Sequence, residues 1–330
     1  MREITITANE AGQRLDKFLT KYLNEATKSF FYKMLRKKNI TLNGKKANGD
    51  EKLQIGDTVK LFLSEETIEK FSSVSIQKTT AKLDILYEDS DVLFINKPAG
   101  MLSQKAQKTD ESVVEHVISY LLDSNQLTKQ ELQSFRPSIC NRLDRNTSGL
   151  ITAGKSLRGL QELSKCFKER SMGKYYIACV NGIITTPQHL QGYLRKDNKT
   201  NKVTITKELE EGGDWIETDY VPLAHGRDRT VLEVHLITGK THQIRAHLAY
   251  TNHPIIGDAK YGDRNVNAKY QSEYGVKHQL LHAYRLEFPK QSVGLEQLKG
   301  NAYIAPLPPI YQKICKEMRG NYEHLEFKRS

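Results

Sequence analysis

The segment from Ser138 to Thr152 constrains the fold more than any other stretch, because it changes from apolar to polar and back over a short distance. Asn, Thr, Ser and Gly dominate its centre, and these residues favour turns over helix interiors. Short apolar pairs stand on both sides, at Ile139–Cys140 and Leu150–Ile151. The pattern therefore predicts a loop held between two buried strand ends.

Asp144 lies in this loop between two arginines, Arg142 and Arg145. A carboxyl group with cations nearby stays ionised, so it can act as a nucleophile or a counter-ion but is a poor proton donor at neutral pH. The alternative is a structural aspartate that caps a turn and pairs with its neighbour, which is the commoner case for an isolated Asp–Arg pair. We treat Asp144 as a candidate functional residue.

The composition is that of a globular protein, with 330 residues, 38% of them hydrophobic and 27% charged. This length is enough for two domains. A mean hydropathy of −0.59 and the lack of a long apolar run argue against a membrane span. The N-terminal residues contain no secretory apolar segment, so we expect a cytoplasmic protein whose four cysteines are reduced.

Positive charge is concentrated near the N-terminus of the chain. The formal net charge is +11, and residues 12–60 contain twelve Lys or Arg against five acidic residues. A basic segment of this kind favours an anionic partner, and nucleic acid is the leading candidate. The alternative is an ordinary small domain with a solvated basic face.

The same segment predicts two helices and a small sheet. Apolar residues from Leu15 to Leu23 follow helical spacing, and a second helix is predicted from Ser29, as N-cap, to Lys38. Asn43–Gly44 predicts a hairpin turn. This arrangement over residues 1–63 resembles the S4-type RNA-binding domain. The resemblance implies RNA contacts by exposed basic residues, for which the candidates are Arg14, Lys33, Arg36, Lys37, Lys38 and Lys45.

Residues 64–82 are polar and lack periodicity, which predicts a linker that lets the N-terminal domain move. Residues 83–330 form the predicted second domain, in which strands alternate with helices such as the one from Ser156 to Arg170. Tyr175 and Tyr176 are neighbours on a predicted strand and therefore face opposite ways. One of them should face a pocket, although composition alone would favour a core tyrosine.

Two motifs after residue 230 suggest sites that the sequence does not support. Gly239–Thr241 looks like the end of a phosphate-binding loop, but that motif requires glycine where the chain has Val234. His242, His247 and His253 lack the spacing of a metal site, because residues five apart lie on different faces of a helix. We therefore predict no metal site.

Five ordered motifs carry a resemblance to a known family. The run Arg-Leu-Asp-x-x-Thr-Ser-Gly-Leu, at residues 142–150, closely resembles the active-site motif of RluA-type pseudouridine synthases. One departure is Asn141, which stands where the family usually has histidine. The other matching segments are Asn96–Gly100, Lys174–Gly182, Thr238–Arg245 and Leu280–Pro289.

The resemblance implies an α+β fold with a mixed, largely antiparallel sheet. It implies that Asp144 is the nucleophile, that Tyr176 stacks on the base and helps to remove the carbon 5 proton, and that Arg245 pairs with Asp144. It further implies that Arg142 fills the space left by a flipped uridine and that Leu281 forms part of the base pocket. The reaction requires no cofactor and no metal.

The implied activity is the isomerisation of specific uridines in structured RNA to pseudouridine by a monomeric enzyme. Large-subunit ribosomal RNA is the favoured substrate, and tRNA is the alternative. A different class of function is an RNA-binding ribosome-assembly factor that has lost catalysis. A glycoside hydrolase or nuclease using Asp144 is a further alternative, but the sequence offers no evident second carboxylate or metal cluster for it.

Overall fold

The computed structural model describes residues 1–72, 79, 82–107, 109–197, 200–209, 211–291 and 294–328. In chain order, the elements of the N-terminal unit are β1 (Arg2–Thr5), α1 (Leu15–Tyr22), α2 (Lys28–Arg36), β2 (Ile40–Leu42), β3 (Lys45–Lys46), β4 (Thr58–Leu61) and α3 (Glu65–Phe71). The strands form an antiparallel sheet in the order β1-β4-β2-β3. This agrees with the prediction of helices packed on a small sheet.

The starts and turns of these elements follow from local chemistry. Helix α2 begins one residue before the predicted N-cap Ser29, because Oγ1 of Thr27 accepts a hydrogen bond from the backbone N of Phe30 at 3.4 Å. The predicted cap is therefore wrong. The Asn43–Gly44 turn is confirmed, with φ angles of 51° and 72° that suit a two-residue hairpin.

Helix α3 lies within the segment that was predicted to be a linker. Oγ of Ser64 accepts a hydrogen bond from the backbone N of Thr67 and caps the helix. Ile68 is fully buried in the N-terminal core, and the ring centroid of Phe71 lies 4.7 Å from that of Phe30. The first part of the predicted linker is therefore helical and packed, whereas residues 73–78, 80 and 81 lie outside the described part of the chain.

The second unit is built on one large sheet with helices on its faces. Its strands are β5 (Ile85–Glu88), β6 (Val92–Lys97), β7 (Ser138–Ile139), β8 (Ser148–Gly154), β9 (Gly173–Asn181), β10 (Gln188–Asp197), β11 (Lys202–Thr206), β12 (Asp214–His225), β13 (Arg229–Leu236), β14 (Leu281–Glu287), β15 (Ala302–Ile304) and β16 (Arg319–Gly320). Its helices are α4 (Val113–Asp123), α5 (Glu131–Ser134), α6 (Leu157–Glu169), α7 (Gln243–Tyr250), α8 (Arg264–Tyr274) and α9 (Pro309–Cys315).

The strand order along this sheet is β11-β10-β12-β13-β9-β14-β8-β6-β5, with β7, β15 and β16 attached at its sides. Among the described strands, only β14 and β8 pair in parallel, through His282 with Ser148 and Ala283 with Gly149. All other pairs are antiparallel. The expected mixed, largely antiparallel α+β fold is thus confirmed.

The parallel contact between β14 and β8 requires a glycine. Gly149 has a φ angle of +109°, and a Cβ atom at this position would lie 2.2 Å from the backbone oxygen of Ala283. A side chain there would clash with the neighbouring strand as well as strain its own backbone. Gly149 therefore lets β8 lie close to β14 immediately after the loop that carries Asp144.

Two large apolar cores lie on either side of this junction. One is formed mainly by β9, β12, β13, α7 and the C-terminal segment, and the other by β6, β8 and α4. Tyr176 packs against both cores. Helices α5 and α8 were not predicted, since α5 has four residues and α8 buries only Tyr270, which leaves little apolar periodicity to detect.

Hydrogen bonds join the two units. The buried carboxylate of Glu10 accepts a hydrogen bond from Oγ of Ser134 at 2.6 Å. Oδ1 of Asn9 accepts one from the backbone N of Leu157 at 3.0 Å, at the start of α6. The structure thus contains a docked N-terminal unit, and the expectation that this unit moves stays a prediction. None of the helices in the described part of the chain combines the length and apolar character needed to cross a bilayer.

Candidate active site

Asp144 lies in the loop between β7 and β8, and Asn141 ties the start of this loop to β8. Oδ1 of Asn141 accepts hydrogen bonds from the backbone N and Oγ1 of Thr152, at 2.8 and 3.0 Å. Its Nδ2 atom donates to the backbone oxygen of Leu150 at 3.3 Å. Asn141, which replaces the expected histidine, therefore fixes the loop to the strand that follows it.

The segment that follows β6 holds the other side of the Asp144 loop. Oγ of Ser103 donates to the backbone oxygen of Leu143 at 2.7 Å, and the backbone N of Leu143 lies 3.0 Å from the same Oγ. The backbone N of Gly100 donates to the oxygen of Arg145 at 2.9 Å, and Nε of Arg145 donates back to the oxygen of Gly100 at 3.1 Å. These paired hydrogen bonds leave the loop little freedom.

Lys97 lies fully buried behind the loop. Its Nζ atom donates to the backbone oxygens of Pro98, Met101 and Arg145 at 2.9–3.0 Å. Burial lowers the pKa of Lys97 to about 7, against the opposing effect of the Asp144 charge. Lys97 therefore acts as an internal clamp that joins the end of β6 to the Asp144 loop.

Arg245 lies between two carboxylates. Its Nη1 atom donates to Oδ2 of Asp144 at 2.7 Å. Its Nε and Nη2 atoms donate to the two oxygens of Asp258 at 2.7 and 2.8 Å, and the Asp258 side chain is fully buried. Burial works to lower the pKa of Arg245, but the hydrogen bonds and charges of the two carboxylates raise it overall. The pairing of Asp144 with Arg245 expected from the sequence is therefore present.

The start of α7 is fixed by Gln243, and Arg245 follows two residues further along the helix. Oε1 of Gln243 accepts hydrogen bonds from Oγ1 of Thr238 and the backbone N of Lys240, at 2.9 and 3.0 Å. Its Nε2 atom donates to the backbone oxygen of Glu217 at 2.9 Å. The buried amide thus ties the first turn of the helix to β12 and to the loop after β13.

Tyr176 and Leu281 lie on adjacent strands and line the cleft beside Asp144. In the register of β9 with β14, Tyr176 pairs with Ala283 and Leu281 pairs with Ala178. Burial raises the pKa of Tyr176, and the charge of Asp144 raises it further, so the hydroxyl is protonated at neutral pH. Both residues that the resemblance assigned to the base pocket therefore line the same cleft as Asp144.

The cleft has a volume of about 1010 Å³ and is strongly basic. Among the described residues that line it, Asp144 is the only acidic one. The basic ones are Lys105, Arg142, Arg145, Lys168, Arg170, Lys174, Lys196, Lys240, Arg245, Lys260 and Arg285. A single carboxylate among so many cations suits a polyanionic ligand that must approach an acidic group.

Arg142 is exposed at the edge of this cleft, two residues before Asp144. The predicted RNA-binding residues of the N-terminal unit, Arg14, Lys33, Arg36, Lys37, Lys38 and Lys45, are all exposed, and none of them lines the cleft. Arg14 is engaged in an ion pair with Asp16 at 3.1 Å. The structure therefore gathers five of the predicted site residues around the cleft and leaves these six on a separate surface.

The sequence did not predict a role for Asp258, Gln243 or His242. His242 and Gln243 lie in the matching segment Thr238–Arg245, which was the available signal, whereas Asp258 lies 13 residues after Arg245. The partners of all three are set by the fold. His242 is nearest to the candidate nucleophile, with its Nε2 atom 3.9 Å from Oδ2 of Asp144. Burial lowers the pKa of His242, which favours a neutral imidazole.

The described residues contain no group of three or more His, Cys, Asp or Glu side chains arranged to hold a metal ion. The four cysteines are free thiols, and three of them are buried. The cleft is lined by the carboxylate of Asp144, the guanidinium of Arg245, the imidazole of His242 and the phenol of Tyr176.

Comparison with known proteins gives two matches to protein families. The family described as RNA pseudouridylate synthase matches residues 91–250, which include Asp144, Tyr176 and Arg245. The S4 domain matches residues 13–59. The two matches correspond to the two units of the structure.

Similar proteins extend this likeness over most of the chain. Ribosomal large subunit pseudouridine synthase C of Vibrio vulnificus is 30% identical over 96% of both chains. The protein of the same name from Escherichia coli K12 is 32% identical over 88% of this chain and 89% of its own.

Two solved structures share the fold. Human RNA pseudouridylate synthase domain containing 1 is 20% identical, with a TM-score of 0.55 over 77% of this chain and 94% of its own. Human RNA pseudouridylate synthase domain containing 4 is also 20% identical, with a TM-score of 0.56 over 72% and 94%. Given relatives this similar along nearly its whole length, the chain belongs to the RNA pseudouridylate synthase family and carries an S4 domain.

Proposed function

We propose that this protein isomerises specific uridines of large-subunit ribosomal RNA to pseudouridine, with Asp144 as the nucleophile. The observation that carries the proposal is the position of Asp144, the only described acidic residue in a basic cleft, held by Arg245. The ribosomal target is supported by the names of the relatives. The expected partner is therefore structured RNA, and the expected location is the cytoplasm.

The reaction rearranges one nucleoside without adding or removing a group. The bond between N1 of uracil and the anomeric carbon of the ribose breaks, the uracil turns, and its carbon 5 bonds to the anomeric carbon. Carbon 5 loses a proton and N1 gains one. Asp144 attacks either the anomeric carbon or the uracil ring, and each route gives a covalent intermediate that later releases the carboxylate.

Arg245 and Asp258 prepare Asp144 for this attack. Arg245 binds Oδ2 of Asp144, while no hydrogen bond to Oδ1 is found within the described part of the chain. Oδ1 is therefore the oxygen free to approach the nucleoside. Asp258 holds the guanidinium from behind through two hydrogen bonds, so the pair needs little rearrangement when RNA binds.

Tyr176 and Leu281 form the base pocket in this proposal. The Tyr176 ring offers a stacking surface beside Asp144, and Leu281 offers an apolar wall. Because its hydroxyl is protonated at neutral pH, Tyr176 can take the carbon 5 proton only if its own proton moves on. Stacking is therefore its first role, and assistance in proton removal is its second.

Arg142 is the proposed wedge. A uridine inside a folded RNA cannot reach the cleft unless it leaves the base stack, and the space that it vacates must be filled. Arg142 is exposed at the edge of the cleft and close in sequence to Asp144, so its planar guanidinium can stack there. Replacing Arg142 by Ala should slow reaction on a folded RNA more than on a short single-stranded RNA.

The basic surface of the N-terminal unit is the proposed second contact with RNA. Phosphate contacts position a protein on RNA without reading its sequence, so this surface is compatible with ribosomal RNA or tRNA. The relatives favour ribosomal RNA. We propose that the protein acts as a monomer, which light scattering would test against the chain mass of 37.7 kDa.

The direct test is a map of pseudouridines in ribosomal RNA and tRNA from cells with and without the gene. The proposal expects sites in large-subunit ribosomal RNA to disappear with the gene. Wild-type protein should restore them, and the Asp144→Asn protein should not. Loss of sites in tRNA alone would move the target to tRNA, and an unchanged map would favour an RNA-binding protein without catalysis.

A further inference from the structure

The hydroxyl group of Tyr261 links β11 to the start of α7, and the ring contacts Arg245. The backbone N of Val203, on β11, donates to it at 2.9 Å. Nδ1 of His242, at the start of α7, lies 2.9 Å from it. The Tyr261 ring lies against Arg245, with the guanidinium carbon 5.2 Å from the ring centroid. Tyr261 therefore contacts both residues that flank the Asp144 carboxylate.

One of these hydrogen bonds has a fixed direction, and the other is assigned by asking which arrangement pairs every proton. A backbone N–H can only donate, so the Tyr261 oxygen accepts from Val203. Burial raises the pKa of Tyr261, which keeps its single proton on the hydroxyl. The oxygen has a second lone pair and could also accept from Nδ1, but the hydroxyl proton would then have no acceptor among the described residues. Donation from the hydroxyl to Nδ1 of His242 pairs this proton, so we assign that direction. The imidazole proton then resides on Nε2.

This tautomer gives His242 a donor on the side of the nucleophile. The His242 side chain is 10% exposed, and its Nε2 atom lies 3.9 Å from Oδ2 of Asp144. The charged groups around the imidazole are Asp144 and Asp258, which favour its protonation, and Arg245 and Lys260, which oppose it. With burial, the balance leaves a neutral ring with its N–H towards the carboxylate.

The backbone conformation of His242 supports a functional role for its imidazole. Its φ angle is 55°, in the left-handed region that non-glycine residues seldom adopt. The strained conformation places the imidazole at the helix start, in contact with the Tyr261 ring at a centroid distance of 5.6 Å. Both the backbone conformation of His242 and the hydrogen bond at Nδ1 therefore fix the orientation of its imidazole.

We propose that Tyr261 is a positioning residue that fixes the Nε2–H tautomer of His242, so that His242 becomes a second hydrogen-bond donor to Asp144 during the reaction. The inference rests on the proposed function only in treating Asp144 as the nucleophile. The relay from Val203 through Tyr261 to His242 also connects the β10–β11 hairpin to the reacting group. Nζ of Lys202, the residue before Val203, lies 5.8 Å from the centroid of the Tyr261 ring.

The first test reads the tautomer without any reaction. The full chain is labelled with ¹⁵N-histidine, and the signal of His242 is assigned by its loss in the His242→Gln variant. The relay predicts an unprotonated, hydrogen-bonded Nδ1 and a protonated Nε2. In Tyr261→Phe, which keeps the ring against Arg245, the preference for this tautomer should weaken. A protonated Nδ1 in the wild type, or an unchanged signal in Tyr261→Phe, overturns the proposal.

The second test measures turnover on an RNA containing the target uridine. His242→Leu should lower kcat by about tenfold or more with little change in KM, because one hydrogen bond to a charged group is lost. His242→Gln should recover part of this loss, since its amide nitrogen can replace Nε2. Tyr261→Phe should also lower kcat.

The control for Tyr261→Phe is Tyr250→Phe. Tyr250 is exposed at the end of α7, the helix that begins after His242, and its replacement should leave turnover unchanged. Wild-type turnover in His242→Leu, or equal losses in His242→Leu and His242→Gln, contradicts the relay. If the wild-type protein makes no pseudouridine, the proposed function fails, and the ¹⁵N signals still decide whether the relay exists.

Discussion

Nη1 of Arg245 lies 2.7 Å from Oδ2 of Asp144, although 101 residues separate the two in the chain. The Arg245 side chain is 9% exposed and the Asp144 side chain 28%, so the pair is mostly shielded but open on the aspartate side. Asp144 lies in the loop between β7 and β8 and Arg245 lies on α7, so the contact forms only when these elements are in place together. The position of the candidate nucleophile therefore depends on the tertiary structure.

Replacing Asp258 by Asn tests the support behind this pair. The change leaves the buried guanidinium of Arg245 with one carboxylate, so we expect the free energy of unfolding to fall by about 3–5 kcal/mol. We also expect kcat to fall by about tenfold or more, because Asp144 is less well oriented. Urea unfolding and single-turnover kinetics measure the two effects.

Asp214→Asn is the control for the Asp258 variant, because it removes an exposed carboxylate that pairs with the partly exposed Lys240. Its effect on stability should stay near or below about 1 kcal/mol. Equal losses in the two variants would contradict the importance of burial at Asp258.

Gly149→Ala tests the close approach of β8 and β14. The added Cβ would lie 2.2 Å from the backbone oxygen of Ala283, so we expect a loss of at least about 3 kcal/mol in unfolding free energy. Gly212→Ala is the matched control, because Gly212 also has a positive φ of +77° but open space around its Cβ position. It should cost about 1 kcal/mol. Similar losses in both variants would show that backbone strain alone, without the clash, accounts for Gly149.

Because His282 is buried, we expect the protein to lose stability in mild acid. Nδ1 of His282 is hydrogen-bonded to Ser148 and Nε2 to the backbone oxygen of Ala305, and burial lowers its pKa from 6.5 to about 4. Between these values the unfolded chain binds a proton that the folded protein does not, so stability falls as the pH drops from 6.5 to 4. From pH 7.5 to 5.5, we expect His282 to account for about 1 kcal/mol.

Urea unfolding at the two pH values measures this contribution. The difference in unfolding free energy between pH 7.5 and 5.5 should be smaller in His282→Gln than in the wild type. The exposed His225 provides the control, since His225→Gln should retain the wild-type difference. The assignment to His282 is wrong if both variants respond to pH as the wild type does.

Salt dependence tests the basic surface of the N-terminal unit. Replacing Arg36, Lys37 and Lys38 together by Gln should weaken RNA binding and flatten the slope of log K against log salt by about 2, if each contacts a phosphate. The control replaces Lys313, Lys316 and Arg319, which are exposed on the second unit outside the cleft. An unchanged slope in the first triple variant would show that these three residues do not contact RNA phosphates.

Local patterns predicted much of the architecture. The periodicity of Leu157 to Phe167 predicted α6, and the polar loop between apolar pairs predicted the position of Asp144 between β7 and β8. Helix α3 was missed because its buried side, mainly Ile68, is recognisable only once the N-terminal core is known. Short elements with few buried residues leave too weak a pattern for prediction.

For the candidate site too, some residues were predicted from the sequence and others depend on the tertiary structure. Motifs predicted Asp144, Tyr176 and Arg245, and the fold places all three at one cleft. The clamp formed by Lys97 could not be predicted, because its partners include the backbone oxygen of Arg145, 48 residues away. Hydrogen bonds between distant backbone and side-chain atoms depend on tertiary structure and leave no periodic signal in the sequence.

The measurement that tests the central claim most directly compares pseudouridine formation by wild-type and Asp144→Asn protein on a large-subunit ribosomal RNA fragment, with RNA affinity measured in parallel. Asn keeps the shape of the side chain but is a very poor nucleophile. We predict that the variant binds the RNA about as tightly as the wild type and forms pseudouridine at least about a thousandfold more slowly. Turnover by Asp144→Asn at a rate close to that of the wild type would contradict the account.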